Sequence, residues 1–499
     1  MQQSVTIPRL LLFLAEVIVF AILAVAATNH FGWADGARLT AAYLVAYLIP
    51  KIILMRARGS STTSCVILLL LAIGLIVLNY ANLLEWTSEE GYNLEIPNLK
   101  NDARGYYKWA LYHFDGRVGP QHISFKGFPL MMLLLWKLLG LSVVWPQAMN
   151  MMFTLTATVL TGMTTRRLLA HRVSLPMSSL LTGGMLLTCL LAYYLSSGIL
   201  ILKEASVFLA ISMSGYALAS MSSGDDERHH PWTNLLVFIL ACCIMAVVRT
   251  TFLYYIALGV VLLTLPHWQR DWKMALGMMI IILITLFAGN HFAAYSFEQH
   301  ADIASGGWDM QHTYINDNNP ARPVFRKLIG YYFLYSPWHK LFMLPLTMSL
   351  QFITPFPWLP ADEDQIIFNY ISRFSYGWYA LGGTALFYYL FVSWRSKESL
   401  GIWAWWPAAT YIVTAYVIAG SVVRYVLPFE PLFVPVVMYL ICRLSEGYWR
   451  KAFKRWCIFY VILLAVTLVI CLEIQHSTIS RMLHTPPLVY YLKNCLLYL

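Results

Sequence analysis

From Asn101 to Gly116 the chain reads NDARGYYKWALYHFDG. One carboxylate, Asp102, stands beside two cations, Arg104 and Lys108, and three large aromatics, Tyr106, Tyr107 and Trp109. A carboxylate that stays ionised and reaches a hydroxyl can act as a general base. The aromatic rings offer stacking surfaces suited to a sugar. A solvated juxtamembrane loop would carry the same residue types, since Tyr and Trp are enriched where membrane meets water. His122, further along the segment, is a supporting candidate.

Three more places put charge where the surroundings are apolar. In SSGILILKEASVFLA, Lys203 and Glu204 open an otherwise apolar span. As neighbours on a helix they point about 100° apart, so they do not simply pair with each other. Arg249 lies in CIMAVVRTTFLYY and Arg424 in GSVVRYVLPFEPLF. Charges inside spans are costly and usually face a cavity or a partner. The planar guanidinium fork matches phosphate oxygens. Each cation alone has a plainer explanation, a side chain reaching up to the interface. Two arginines and a lysine at the far ends of three spans suggest one phosphate or diphosphate site.

The elements that must position these groups follow from composition. The 499 residues are 59% hydrophobic and 12% charged, against about 25% charged in a soluble protein. The long apolar runs indicate an all-α polytopic membrane protein; a membrane barrel would show short alternating segments. Spans are expected near 10–28, 39–55, 63–84, 147–165, 177–196, 202–220, 234–247, 251–266, 274–295, 341–358, 376–394, 401–419, 427–443 and 456–474, about 13–14 in all. The 234–247 run is too short to cross a hydrocarbon core of about 30 Å alone, and is expected to join the next run in a bent or re-entrant arrangement around Arg249. The apolar N-terminus resembles a signal peptide, but its length and the hydrophobic run that soon follows point to a retained first span.

The net charge of +10 fits basic cytoplasmic loops and requires no nucleic acid. Short basic loops at Lys51–Arg58, Arg166–Arg172, Arg270–Lys273, Arg395–Lys397 and Arg443–Arg455 fall on one side if the N-terminus is cytoplasmic. Residues 85–127 and 296–340 then lie on the far face. Both are too long for structureless connections, which argues for function or local helices. FPLMMLLLWKLLG (128–140) carries Lys137 and follows a Gly-Phe-Pro break, so it is expected to lie at the far interface or dip partway in. The organisation is therefore 1–84, N-terminal spans; 85–146, outer loop with juxtamembrane helices; 147–474, the bundle with outer loop 296–340; and 475–499, a C-terminal segment. Eight cysteines show no ligand spacing. The SSGDDERHHPWTN loop reads as a solvated turn rather than a metal site. No cofactor is expected, and a divalent metal has no support.

In order, the chain presents NDARGYYKWA, KGFPLMMLLLWKLLGLS, a descending span ending in arginines, and RYVLPFEPLF. This series resembles the GT-C superfamily of integral-membrane glycosyltransferases, which use polyprenyl-phosphate-linked sugars, over most of residues 90–445. The resemblance implies a GT-C-like bundle with outer-face juxtamembrane helices. It implies Asp102 as catalytic base, Gly127-Phe128-Pro129 as the break beside the site, and Arg424 as a phosphate-holding arginine. Lys203, Glu204 and Arg249 would line the cavity. The partners implied are a polyprenyl-phosphate-linked sugar donor, membrane lipid, and a glycan, lipid or protein acceptor. The implied location is a bacterial inner membrane, with chemistry on the periplasmic face. Departures are three apolar segments before Asp102, where the family usually has one, no adjoining second carboxylate, and no large soluble domain after the last span. A repeat-unit polymerase using polyprenyl-diphosphate oligosaccharides is the nearest alternative. A lipid or solute transporter is a second, although no inverted repeat is found.

Overall fold

The computed structural model describes residues 6–99, 101–117, 127–189, 198–222, 231–264, 268–289, 386–391, 400–418, 427–444 and 446–455, with a few single residues between 341 and 469. These residues are mostly helical, with no strand among them. Three long apolar helices open the chain: α1 (Thr6–Phe31), α2 (Trp33–Arg56) and α3 (Thr62–Trp86). Two short ones follow, α4 (Asn101–Phe114) and α5 (Gly127–Leu139). The bundle then continues through α6 (Val144–Leu169), α7 (Met177–Cys189), α8 (Glu204–Ser222), α9 (Pro231–Arg249), a 3-10 turn (Thr250–Phe252), α10 (Leu253–Thr264) and α11 (Trp268–Gly289). Later come α12 (Gly401–Ile418), a 3-10 stretch (Leu427–Leu432) and α13 (Val434–Arg443).

Five of the described helical stretches are long and apolar enough to cross a membrane, six if the bent pair α5/α6 counts as one. The chain is thus an all-α protein with the helices of a membrane-embedded one. The spans expected near 341–358, 376–394 and 456–474 lie largely or wholly outside the described residues, as do 296–340 and 475–499.

Helix α6 is the centre of the bundle, with 22 of its 26 residues buried. It packs against α2, α7 and α8, and α8 in turn packs against α9. Without a hydrophobic drive between helices in lipid, close backbone approach must supply the contact. At Gly162 a Cβ would stand 2.7 Å from the Leu181 carbonyl oxygen, so the α6–α7 crossing leaves no room for a side chain there. The threonines of α6 spend their hydroxyls on carbonyls one turn back, as Thr154 does to Asn150 and Thr158 to Thr154, both at 2.9 Å.

Two expectations need correcting. The run expected at 234–247 is longer, a 19-residue helix, α9, about 28 Å long, because Pro231, Trp232 and Thr233 before it and Val248 and Arg249 after it are helical too; it joins the next run as expected, but in one stretch, Trp232–Thr264, without a sharp bend. Helix α9 ends at Arg249, whose φ of −159° and ψ of 76° leave the helical region before the 3-10 turn. The run expected at 427–443 is not one span: Pro428, Pro431 and Pro435 lack the amide donors an α-helix needs there, so a 3-10 stretch precedes the 10-residue α13. The NDARGYYKWALYHFDG stretch is mostly a helix, α4, over Asn101–Phe114, one of the local helices expected between 85 and 146.

Candidate functional site

The described candidate residues stand on α4, just before and at the start of α8, and at the end of α9, with α5 packed against α4 and α9. Asp102 stands in the first turn of α4, where a negative charge opposes the helix dipole favourably. It is exposed, as are Arg104 and Lys108. Tyr106 follows at i+4 and shares a face with Asp102, but it is buried, as are Tyr107 and Trp109.

Those aromatics hold α4 in place. Tyr106 meets Phe128 of α5 edge to face, with centroids 5.7 Å apart. Tyr107 meets Trp136 at 4.7 Å and donates its hydroxyl to the Glu95 carbonyl at 2.9 Å. Trp109 stacks on His113 at 3.8 Å. Burial pushes the Tyr107 phenol above its ordinary pKa, and the charge of Glu95 adds to the effect.

Gly127 shows why the break before α5 begins with glycine. A Cβ there would lie 1.7 Å from the Val247 carbonyl oxygen, so α5 starts in backbone contact with α9 two residues before Arg249. At its other end α5 stops at Gly140, whose φ of 88° favours glycine. The chain then turns by 119° into α6, so α5 does not continue the span, as its Gly-Phe-Pro start and short length suggested.

Lys203 stands just before α8, at the end of a non-helical stretch. It is 6% exposed, and its ammonium stands 5.8 Å from the Tyr106 ring centroid, a cation–π distance. Helix α4 and the start of α8, about a hundred residues apart in sequence, are thereby joined. Arg249, 5% exposed, lays its guanidinium over Phe252 at 4.3 Å. Phe252 meets Phe429 at 5.5 Å, and the Leu427–Leu432 stretch packs on α8. The Leu427–Leu432 stretch is therefore packed against both α8 and the turn that follows Arg249. Arg424 and His122 lie outside the described residues.

Sequence reasoning missed what holds Lys203 and Glu204. The backbone from Gly198 to Lys203 is not helical, and buried carbonyls outside regular structure need donors. Asn79 donates to the Gly198 carbonyl at 3.1 Å and Asn82 to that of Ile199 at 3.2 Å. Asn150 donates to both Leu200, at 2.7 Å, and Leu202, at 2.8 Å. Gln147 supports this row by donating to the Asn79 carbonyl at 3.1 Å and accepting from Tyr43. The available signal was amides inside apolar spans, LNYANLL and WPQAMNMM; a side chain able to donate there is expected to have found a carbonyl.

Glu204, the first residue of α8, is 5% exposed, and neither carboxylate oxygen has a hydrogen-bond partner. The described residues thus offer buried cations able to hold an anion, a buried carboxylate able to accept, and an exposed carboxylate one helical turn from Tyr106. Among the described residues no three His, Cys, Asp or Glu side chains group to hold a metal ion. No family model, curated protein or solved structure matches the chain.

Proposed function

We propose that the chain is an integral-membrane glycosyltransferase of the GT-C type, moving a sugar from a polyprenyl-phosphate donor to a glycan, lipid or protein hydroxyl on the extracytoplasmic face. One observation carries this reading: the Lys203 ammonium over Tyr106, which ties the carboxylate-bearing helix to a rigid, cation-bearing stretch. Lys203 and Arg249 hold the donor's phosphate, with Arg424 a third cation for it. Their charge offsets the negative charge that grows on the leaving phosphate. Asp102 takes the proton of the acceptor hydroxyl. The hydroxyl oxygen bonds to the anomeric carbon as the carbon–oxygen bond to phosphate breaks, and the polyprenyl phosphate leaves with the electron pair. A single displacement inverts that centre. Tyr106, Tyr107 and Trp109 contribute by fixing α4, which holds Asp102 in position.

Asp102→Asn keeps the shape of the side chain and cannot accept the proton. In proteoliposomes with radiolabelled lipid-linked sugars it should bind donor as before and transfer about 10²–10⁴-fold more slowly, the usual worth of a positioned base. Normal turnover would overturn the assignment. Profiling mono- against diphosphate carriers separates a single-sugar transferase from a repeat-unit polymerase.

A second reading draws on the non-helical stretch Gly198–Lys203, whose carbonyls are held by side chains. Broken helices of this kind line the binding sites of transporters. Lipid or solute flux without any glycosidic product would favour that reading.

A further inference from the structure

We propose that Glu204 is a sugar-binding residue, its carboxylate receiving ring hydroxyls of the glycosyl group carried on the lipid phosphate. The inference rests on the phosphate-holding role given above to Lys203 and Arg249. Its own support is separate. Glu204 is 5% exposed, and both Oε1 and Oε2 are buried without a hydrogen-bond partner. A buried polar group left in that state is costly, and native folds rarely keep one without a use.

The carboxylate has little means of relaxing. Backbone amides of Ser206 and Val207 already donate to the Lys203 carbonyl at 3.1 and 3.2 Å. The preceding residues are fixed through Asn79, Asn82 and Asn150. Other orphaned oxygens on the same scaffold, Asn79 Oδ1 and Asn150 Oδ1, are also acceptors.

The unmet need at Glu204 is thus for donors. The charges around it narrow the ligand. A simple ammonium would meet the adjacent Lys203, which repels it. Inorganic phosphate would meet Glu204, which repels it. A molecule that carries an anion and neutral hydroxyl donors a few ångströms apart satisfies both, and a glycosyl phosphate is such a molecule. Hydroxyl donors to a buried carboxylate form charge-assisted bonds, stronger than neutral ones.

The test uses the full-length protein in lipid nanodiscs. Binding is measured for a ten-isoprene polyprenyl phosphate and for its mannosyl, glucosyl, galactosyl and 4-amino-arabinosyl derivatives. In the wild type at least one derivative should bind about tenfold tighter than the bare carrier. Glu204→Gln should bind the bare carrier as the wild type does and lose that increment. If Glu204→Gln fails to fold, Glu204→Asp, which withdraws the carboxylate by one methylene, is read in the same way. An increment that survives the substitution, or no increment for any derivative, overturns the inference. Failure of the bare carrier to bind the wild type instead overturns the phosphate-holding role on which it rests.

Discussion

Replacing Asn150 with Leu removes one side-chain nitrogen and leaves two carbonyls, those of Leu200 and Leu202, without the donor that now meets them at 2.7 and 2.8 Å. The two side chains are similar in size, so the change isolates hydrogen bonding from packing. Asn150 Oδ1 has no hydrogen-bond partner, so nothing else is lost with the amide. Orphaning a buried polar group costs about 1–3 kcal/mol. Hydrogen bonds inside membrane proteins average nearer the low end, so about 1 kcal/mol per carbonyl is a fair figure. The pair then amounts to about 2 kcal/mol, or roughly 30-fold in the local opening equilibrium. Hydrogen–deuterium exchange by mass spectrometry on the protein in nanodiscs reads this directly. Peptides covering Gly198–Lys203 should exchange roughly 30-fold faster in Asn150→Leu, while peptides from α1 should be unchanged. Asn150→Asp, which turns an acceptor toward both carbonyls, should be at least as damaging. Unaltered exchange over Gly198–Lys203 in both variants would refute the idea that the amides fix this stretch.

Gly127→Val drives a side chain into the Val247 carbonyl and should destabilise the protein by about 3 kcal/mol or more. Gly105→Ala in the middle of α4 meets nothing within 4 Å and should gain about 0.5–1 kcal/mol; thermal unfolding in detergent should rank the two variants in that order. Lys51→Met leaves Glu16, buried and bonded by Tyr47 at 2.5 Å, without the ammonium it now contacts. The loss should be about 3 kcal/mol, and Glu16→Leu added to it should recover most of the thermal midpoint. Tyr107 has a raised pKa in the folded state, so its stabilising contribution is complete below about pH 10, where the unfolded phenol ionises, and is lost as pH rises through the higher folded value. Above pH 10 the thermal midpoint should therefore fall more steeply in the wild type than in Tyr107→Phe; identical slopes would count against the burial of that phenol.

The helices were legible because apolar runs and their breaks are local. The spans read from 10–28, 39–55 and 63–84 correspond to α1, α2 and α3, and the Gly-Phe-Pro break marks the start of α5. The errors fell where local cues compete. Three prolines in LPFEPLFVP override an apolar run, and α9 begins three residues ahead of its apolar run, at Pro231, whose fixed φ suits a first helical position. Lys203, Glu204 and Arg249 were conspicuous in the sequence because charge is costly within apolar surroundings. What each one faces was not legible there.

The sequence by itself determined that this chain folds as apolar helices and which charges stand out among them. These depend on composition over ten to twenty neighbouring residues. Only the tertiary structure decided that Lys203 meets Tyr106, that the asparagines of α3 and α6 hold the backbone from Gly198 to Leu202, and that Glu204 is left without a partner. Those contacts join segments about 50 to 120 residues apart, through the rotation of each helix about its axis and the closeness of its neighbours. That geometry is set by how whole helix faces pack, which no short window of sequence contains.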